Sequence, residues 1–210
     1  MYNEEINRSL VETIKGSEFE KLATDFGEIT FDQLSEFEGV AKDIPVIGSI
    51  VKLAKIGFSV RDILLFKKLG KFLWSLRDIP QEKRIELIQK LEKDSHCKSD
   101  IGAKIMLLLE RADDFEKPKM IANAFKAYLN DELSYNQLQK INFAIDHLFV
   151  DDIEEFRLFY RNPEHLMDES SHQNIALCGF AYLIQVMGGG TKPKISDLGT
   201  MFAEKVLNKD

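Results

Sequence analysis

Cysteine is scarce in this sequence, with two residues, Cys97 and Cys178, in 210. They stand far apart in sequence, so no disulfide framework is expected and a reducing compartment is the better reading. Long apolar runs are missing as well. No stretch of about 20 apolar residues exists, and no transmembrane helix is expected. Residues 170–191 carry no formal charge, but their apolar centre at 175–187 is short and is broken by Gly179. That length fits a buried core segment. Residues 1–5 are acidic and polar, unlike the start of a secretory signal. A cytoplasmic location is expected, with a peripheral position at the inner membrane face as the alternative.

Motifs that carry chemistry are equally sparse. No His-Glu-x-x-His and no cysteine cluster occurs. Gly188-Gly189-Gly190 is not followed by Gly-Lys-Ser/Thr, so it is no phosphate cradle. Cys97 directly follows His96, and adjacent helical residues point apart, so no Cys–His dyad is implied. Phe125-Lys126-Ala127-Tyr128 leads into Leu129-Asn130-Asp131-Glu132 without the Asp-rich, Gly-centred loop of a calcium site. Asp113-Asp114 and Asp151-Asp152 stand where helices should begin, and capping explains them more simply than acid–base catalysis. His165, Glu169 and His172 are spaced by four and three, so one helix would present all three on one face. Imidazole and carboxylate suit Zn or Mn, whereas the plain alternative is a polar helix face. No catalytic centre and no cofactor is expected, and the sequence leans away from an enzyme.

What is present is a packing pattern. Hydrophobic residues make up 44% of the chain, led by 15 Phe, which calls for a folded globule. Helix-start signals recur. Ser17, Thr30 and Ser134 are each followed three residues later by Glu or Gln, the capping-box spacing, and Asp151 opens an acidic version. Leu138, Ile141, Ile145 and Leu148 form a helical stripe. The pattern predicts helices near 3–15, 18–26, 31–41, 47–57, 59–77, 81–95, 100–113, 116–130, 135–149, 152–160 and 168–178. A β-hairpin near 181–196 follows, turning at the three glycines, with Pro193 on an edge strand. A last helix, capped by Ser196, runs over 197–207. The predicted fold is mainly α, a multi-helix globule with one late hairpin. A helical domain covers 1–133, and a C-terminal module covers 134–210.

Charge is unevenly spread over a net −7. Residues 1–44 hold 11 acids and 4 bases, whereas 45–77 hold 7 bases and one acid. The bases are Lys52, Lys55, Arg61, Lys67, Lys68, Lys71 and Arg77, and the acid is Asp62. Leu65, Leu69, Phe72, Leu73 and Leu76 form the opposite stripe, and the single tryptophan, Trp74, stands near its end. Such an amphipathic helical hairpin is either core, with its basic face solvated or paired, or a surface for anionic lipid. An acidic protein partner is the third possibility.

The C-terminal order runs from a helix through Gly179-Phe180, a hairpin and Leu198-Gly199 to a final helix with Phe202. It resembles the tail of a winged-helix domain. That resemblance implies DNA binding through the helix before the hairpin, but residues 168–178 contain no Lys or Arg. Only Gln173 and Asn174 would read bases, and only Lys192 and Lys194 would reach phosphate. Residues 135–210 hold 11 acids and 7 bases, so nucleic acid is not the expected partner. Protein contact or self-association through Phe180, Tyr182 and the last helix fits the charge better. Asp43-Ile44-Pro45-Val46-Ile47-Gly48, the Arg61-Asp62 and Lys67-Lys68 pairs and Phe125-Lys126-Ala127-Tyr128 resemble bacterial helical proteins of unknown role. Such proteins are met near mobile elements and phage-resistance genes. This likeness implies a bacterial source and a defence or stress role. Three function classes follow: a non-enzymatic protein-binding module, a peripheral membrane effector using 45–77, and a winged-helix DNA regulator.

Overall fold

A computed structural model describes residues 4–20, 45, 46, 48, 49, 60–94, 100–165, 167–185 and 191–208. The expected helix at 31–41, most of those at 18–26 and 47–57, Lys52, Lys55, Cys97 and the three-glycine turn lie outside the described residues. Within them the chain is mainly helical, with one antiparallel hairpin late in the sequence, as the pattern predicts. It divides into two compact units, Met1–Ala122 and Asn123–Asp210. The sequence placed its boundary near Ser134, a position that lies within the second unit.

The first unit holds α1 (Glu4–Lys15), α2 (Val60–Ser75), α3 (Gln81–Asp94) and α4 (Ile101–Arg111). The helix α5 (Lys117–Leu129) starts in this unit and ends in the second. Ile6, Leu10 and Ile14 recur every four residues along α1 and are all buried. The helix packs on α3 and α4, and α2 packs on α4. A helix end that is shielded from water needs partners for its last carbonyls. For α1 they come from Arg84 on α3. Its Nε donates to the Ile14 carbonyl at 2.8 Å and its Nη2 to that of Gly16 at 2.8 Å. Its Nη1 donates to the Ile79 carbonyl, and the guanidinium lies 4.3 Å from the centre of the Phe19 ring. Burial lowers the pKa of Arg84, against the pull of Glu20 and Glu82.

The second unit contains α6 (Tyr135–His147), a 3-10 turn (Val150–Asp152), α7 (Ile153–Arg161) and α8 (Glu169–Leu177). The strands β1 (Ala181–Gln185) and β2 (Thr191–Ile195) follow, and then α9 (Asp197–Phe202), which runs on as a π-helical turn, Ala203–Leu207. The Ser134 capping box forms as the spacing predicts. Ser134 Oγ accepts from Gln137 N at 3.3 Å, and Gln137 Oε1 accepts from Ser134 N at 2.7 Å. Leu138, Ile141, Ile145 and Leu148 are buried. Asn123 Nδ2 donates to the Val206 carbonyl at 2.9 Å, which satisfies an acceptor at the end of the π-turn. Phe156, Phe180 and Phe202 meet at the centre of this unit. The rings of Phe180 and Phe202 are stacked at 4.3 Å, and Phe156 lies 5.5 Å from Phe180 and 5.9 Å from Phe202.

Candidate interaction surface

The hairpin stands on a root fixed by backbone chemistry. At the end of α8 the Phe180 N–H donates to the Ile175 carbonyl at 3.1 Å, and the Gly179 N–H to that of Ala176 at 2.9 Å. This is a Schellman closure, and it needs a left-handed residue at its centre. Gly179 supplies one, with φ of 79°. The accompanying apolar contact is available too, since Ile175 and Phe180 are both fully buried. Ser196 then locks the two ends of the hairpin together. Its N–H donates to the Phe180 carbonyl at 3.0 Å, and its Oγ donates to the Gly179 carbonyl at 2.6 Å. The same Oγ accepts from Gly199 N at 2.9 Å and so caps α9. A side chain at 199 does not fit, because a Cβ there would stand 2.2 Å from the Phe180 carbonyl oxygen.

Burial corrects one expectation. Phe180, expected on a contact rim, has no exposed surface. It is the anchor of the hairpin, and stacking on Phe202 turns it inward. Tyr182 does face solvent, at 44% exposure. Leu177, at 79%, and Leu183, at 56%, face it as well, and no sequence motif marks either. Their signal was an apolar run longer than the core of a small module can absorb, with no charge to mark which side is wet.

The other end of α8 carries a polar cluster. Asp168 is the N-cap, and its Oδ1 accepts from the amides of Ser170 and Ser171 at 3.0 Å each. Ser171 Oγ lies 2.6 Å from Asp168 Oδ2 and 2.7 Å from Asp152 Oδ1, so one hydroxyl proton is shared between two carboxylates. The Ser171 hydroxyl and amides hold the Asp168 carboxyl below the usual carboxylate range. The Asp151-Asp152 pair is expected to serve the start of α7, but the Asp152 side chain makes no capping bond. It is buried and turned sideways, where Asn174 Nδ2 also donates to it at 2.8 Å. One of the two residues proposed as base readers is thereby engaged within the fold.

The His165, Glu169 and His172 set is not assembled. α8 begins only at Glu169, so His165 lies before it, and His165 Nε2 meets Glu155 Oε2 at 3.0 Å. Glu169 Oε1 accepts from Gln173 Nε2 at 3.4 Å. Among the described residues, no group of three His, Cys, Asp or Glu side chains is placed to hold a metal ion.

In the basic stretch, Leu65, Leu69, Phe72 and Leu73 of α2 and Leu76 just after it are all buried, so this apolar stripe is part of the core of its unit. Arg61 is paired with Glu110, and Lys71 Nζ lies 2.7 Å from Glu116 Oε1. Lys68 is partly buried, and desolvation lowers its pKa, opposed by Asp113. Lys67 is exposed. Trp74 is half-buried, with the Arg77 guanidinium 4.0 Å above its ring. No helix among the described residues is long and apolar enough to cross a membrane.

No protein-family model matches the chain, and no curated protein and no solved structure matches it at a significant level.

Proposed function

We propose that the chain is a non-enzymatic binding protein that meets a protein partner, or a second copy of itself, through the hairpin end of its second unit. The observation that carries this reading is the combination of a fixed root with solvent-facing apolar side chains. Leu177, Tyr182 and Leu183 are exposed, while Phe180 and Phe202 anchor the strands beneath them. Exposed apolar groups on a rigid platform suit a contact site, because the platform has little ordering entropy to lose on binding. The helix, hairpin and helix order supports a winged-helix-like module used for protein contact. Its charge disfavours DNA, and Asn174 is occupied by Asp152. The burial of the α2 stripe weighs against the membrane-effector alternative, because those side chains are not available to lipid. The resemblance to proteins encoded near phage-resistance genes supports a bacterial, cytoplasmic setting and a role in defence or stress.

The test is chemical cross-linking of the full chain in lysate of its source cell. The native protein is compared with a Tyr182→Ser/Leu183→Lys variant. The native chain is expected to give a discrete cross-linked species that the variant loses. Equal cross-linking by both would overturn the assignment of the surface.

A further inference from the structure

The free edge of β1 is built to pair with the same edge of a second copy. The two strands pair with Ala181 opposite Ile195, Tyr182 opposite Lys194, Leu183 opposite Pro193, Ile184 opposite Lys192 and Gln185 opposite Thr191. The bond from Ser196 N–H to the Phe180 carbonyl sets the phase of this ladder. In an antiparallel pair, residues alternate between pointing their amides and carbonyls at the partner strand and pointing them away. Tyr182 and Ile184 therefore bond to Lys194 and Lys192 across the hairpin. Ala181, Leu183 and Gln185 point their amides and carbonyls outward, and so do Thr191, Pro193 and Ile195 on the far side.

The two outer edges differ. At the middle of the β2 edge stands Pro193, which has no amide proton, and Lys192 and Lys194 flank it. Proline and lysine are the usual means of blocking strand addition. The β1 edge has neither. Its residues are Ala181, Tyr182, Leu183, Ile184 and Gln185, none of them charged. Among the described residues the sheet has only its two strands, and no backbone group is paired with the outer side of β1.

We infer that two copies of the chain join β1 to β1 in antiparallel register about a two-fold axis at Leu183. This inference rests on the reading of the hairpin as the contact surface. The register is determined by the strand itself. Outward-pointing residues must face one another, and centring on Leu183 keeps all five residues paired. Leu183 then faces its own copy, Ala181 faces Gln185, and Tyr182 faces Ile184. A two-fold interface requires such self-complementarity. Charge points to a second copy as well. A chain of net −7 repels itself, yet residues 170–191 carry no formal charge, so the contact brings no like charges together. The lysines of the two β2 strands would stand about 14 Å apart, three strand spacings, which exceeds the screening length of about 8 Å at physiological salt. The resulting sheet runs β2, β1, β1, β2, and its outer edges are both the proline-blocked ones.

Analytical ultracentrifugation of the full chain tests this. A single strand pair is a small interface, so a monomer–dimer equilibrium is expected in the range of about 1–100 µM. Leu183→Lys would place two ammonium groups at the axis and weaken the dimer by about tenfold or more. Leu183 is largely exposed, so the fold should tolerate this change, and a circular dichroism melt checks that it does. Leu183→Cys reads the register independently of affinity. Residues facing each other in a bonded antiparallel pair have Cα atoms about 5.5 Å apart, within reach of a disulfide. Mild oxidation should link this variant as a dimer, faster than Tyr182→Cys and faster than the native chain. A native chain that stays monomeric to about 1 mM, or a dimer unaffected by a folded Leu183→Lys variant, overturns the pairing. If that monomer still loses a cross-linked protein in the Tyr182→Ser/Leu183→Lys variant, the partner is a different protein and the contact-surface reading stands. If it loses nothing, both fall.

Discussion

Helix α2 and the hairpin make opposite use of apolar residues. In α2 the stripe from Leu65 to Leu76 looks suited to lipid, with lysines on its other face and Trp74 at its end, yet every residue of it is buried. Arg61 and Lys71 are engaged by Glu110 and Glu116, and Trp74 lies beneath Arg77. In the hairpin the apolar run looks like core, since it carries no charge. Among the described residues from Phe180 to Gln185, Phe180 and Ala181 are buried, whereas Tyr182 and Leu183 face solvent. Amphipathic spacing says that an apolar face will be covered and does not say by what. A helix has one such face and neighbours ready to cover it. A two-stranded hairpin has two faces and two edges to cover.

The largest expected effect sets these two regions directly against each other. Leu69→Ala removes a fully buried side chain from the α2 stripe and should cost about 2–5 kcal/mol of unfolding free energy. Leu183→Ser, measured at a dilution that favours monomer, should change stability by no more than about 0.5 kcal/mol, as for other exposed positions. Urea titration followed by circular dichroism reads both. Similar losses for the two variants would mean that Leu183 contributes to the core.

A second, smaller effect concerns the root of the hairpin. Gly199→Ala brings a methyl group against the Phe180 carbonyl, and one of the two backbones must move. A loss of about 1–3 kcal/mol is expected, as for other overpacked sites. Hydrogen exchange should locate it, because the cross-hairpin amides of Tyr182 and Ile184 ought to exchange faster while those of α1 remain unchanged. Uniform acceleration, or none, would show that the root does not hold the strands.

The helices were legible for a local reason. Ser134 and Gln137, the stripe from Leu138 to Leu148, and Ser196 before α9 are signals in which sequence neighbours act on each other. The hairpin was legible in the same way, from Gly179, the glycine turn and Pro193. Features that depend on residues meeting across the fold were not. Nothing near Arg84 announces that it will take up the carbonyls of Ile14 and Gly16. Asp152 had the position of a cap, but two donors from α8 drew it aside. Phe180 has the pattern of a surface aromatic because its stacking partner, Phe202, stands 22 residues later, on α9. The His165, Glu169 and His172 spacing presumed a continuous helix, whereas Asp168 starts α8 too late to include His165.

The smallest expected effect lies at that start of α8 and is a dependence on pH. The Ser171 hydroxyl and amide, with the Ser170 amide, favour the charged form of Asp168, so its folded pKa lies below the unfolded value. A group shifted in this direction adds stability above its unfolded pKa and loses it as the pH falls through the folded one. The first turn of α8 should therefore be fully held at neutral pH and loosen only under acid conditions, below the ordinary carboxylate range. Amide exchange of Ser170 and Ser171, followed by NMR down an acid series, reads this directly. Asp168→Asn keeps an oxygen that can cap the helix and removes the titration. Its profile for these two amides should be flatter than that of the native chain. Identical profiles would mean that the loosening does not come from the Asp168 carboxyl.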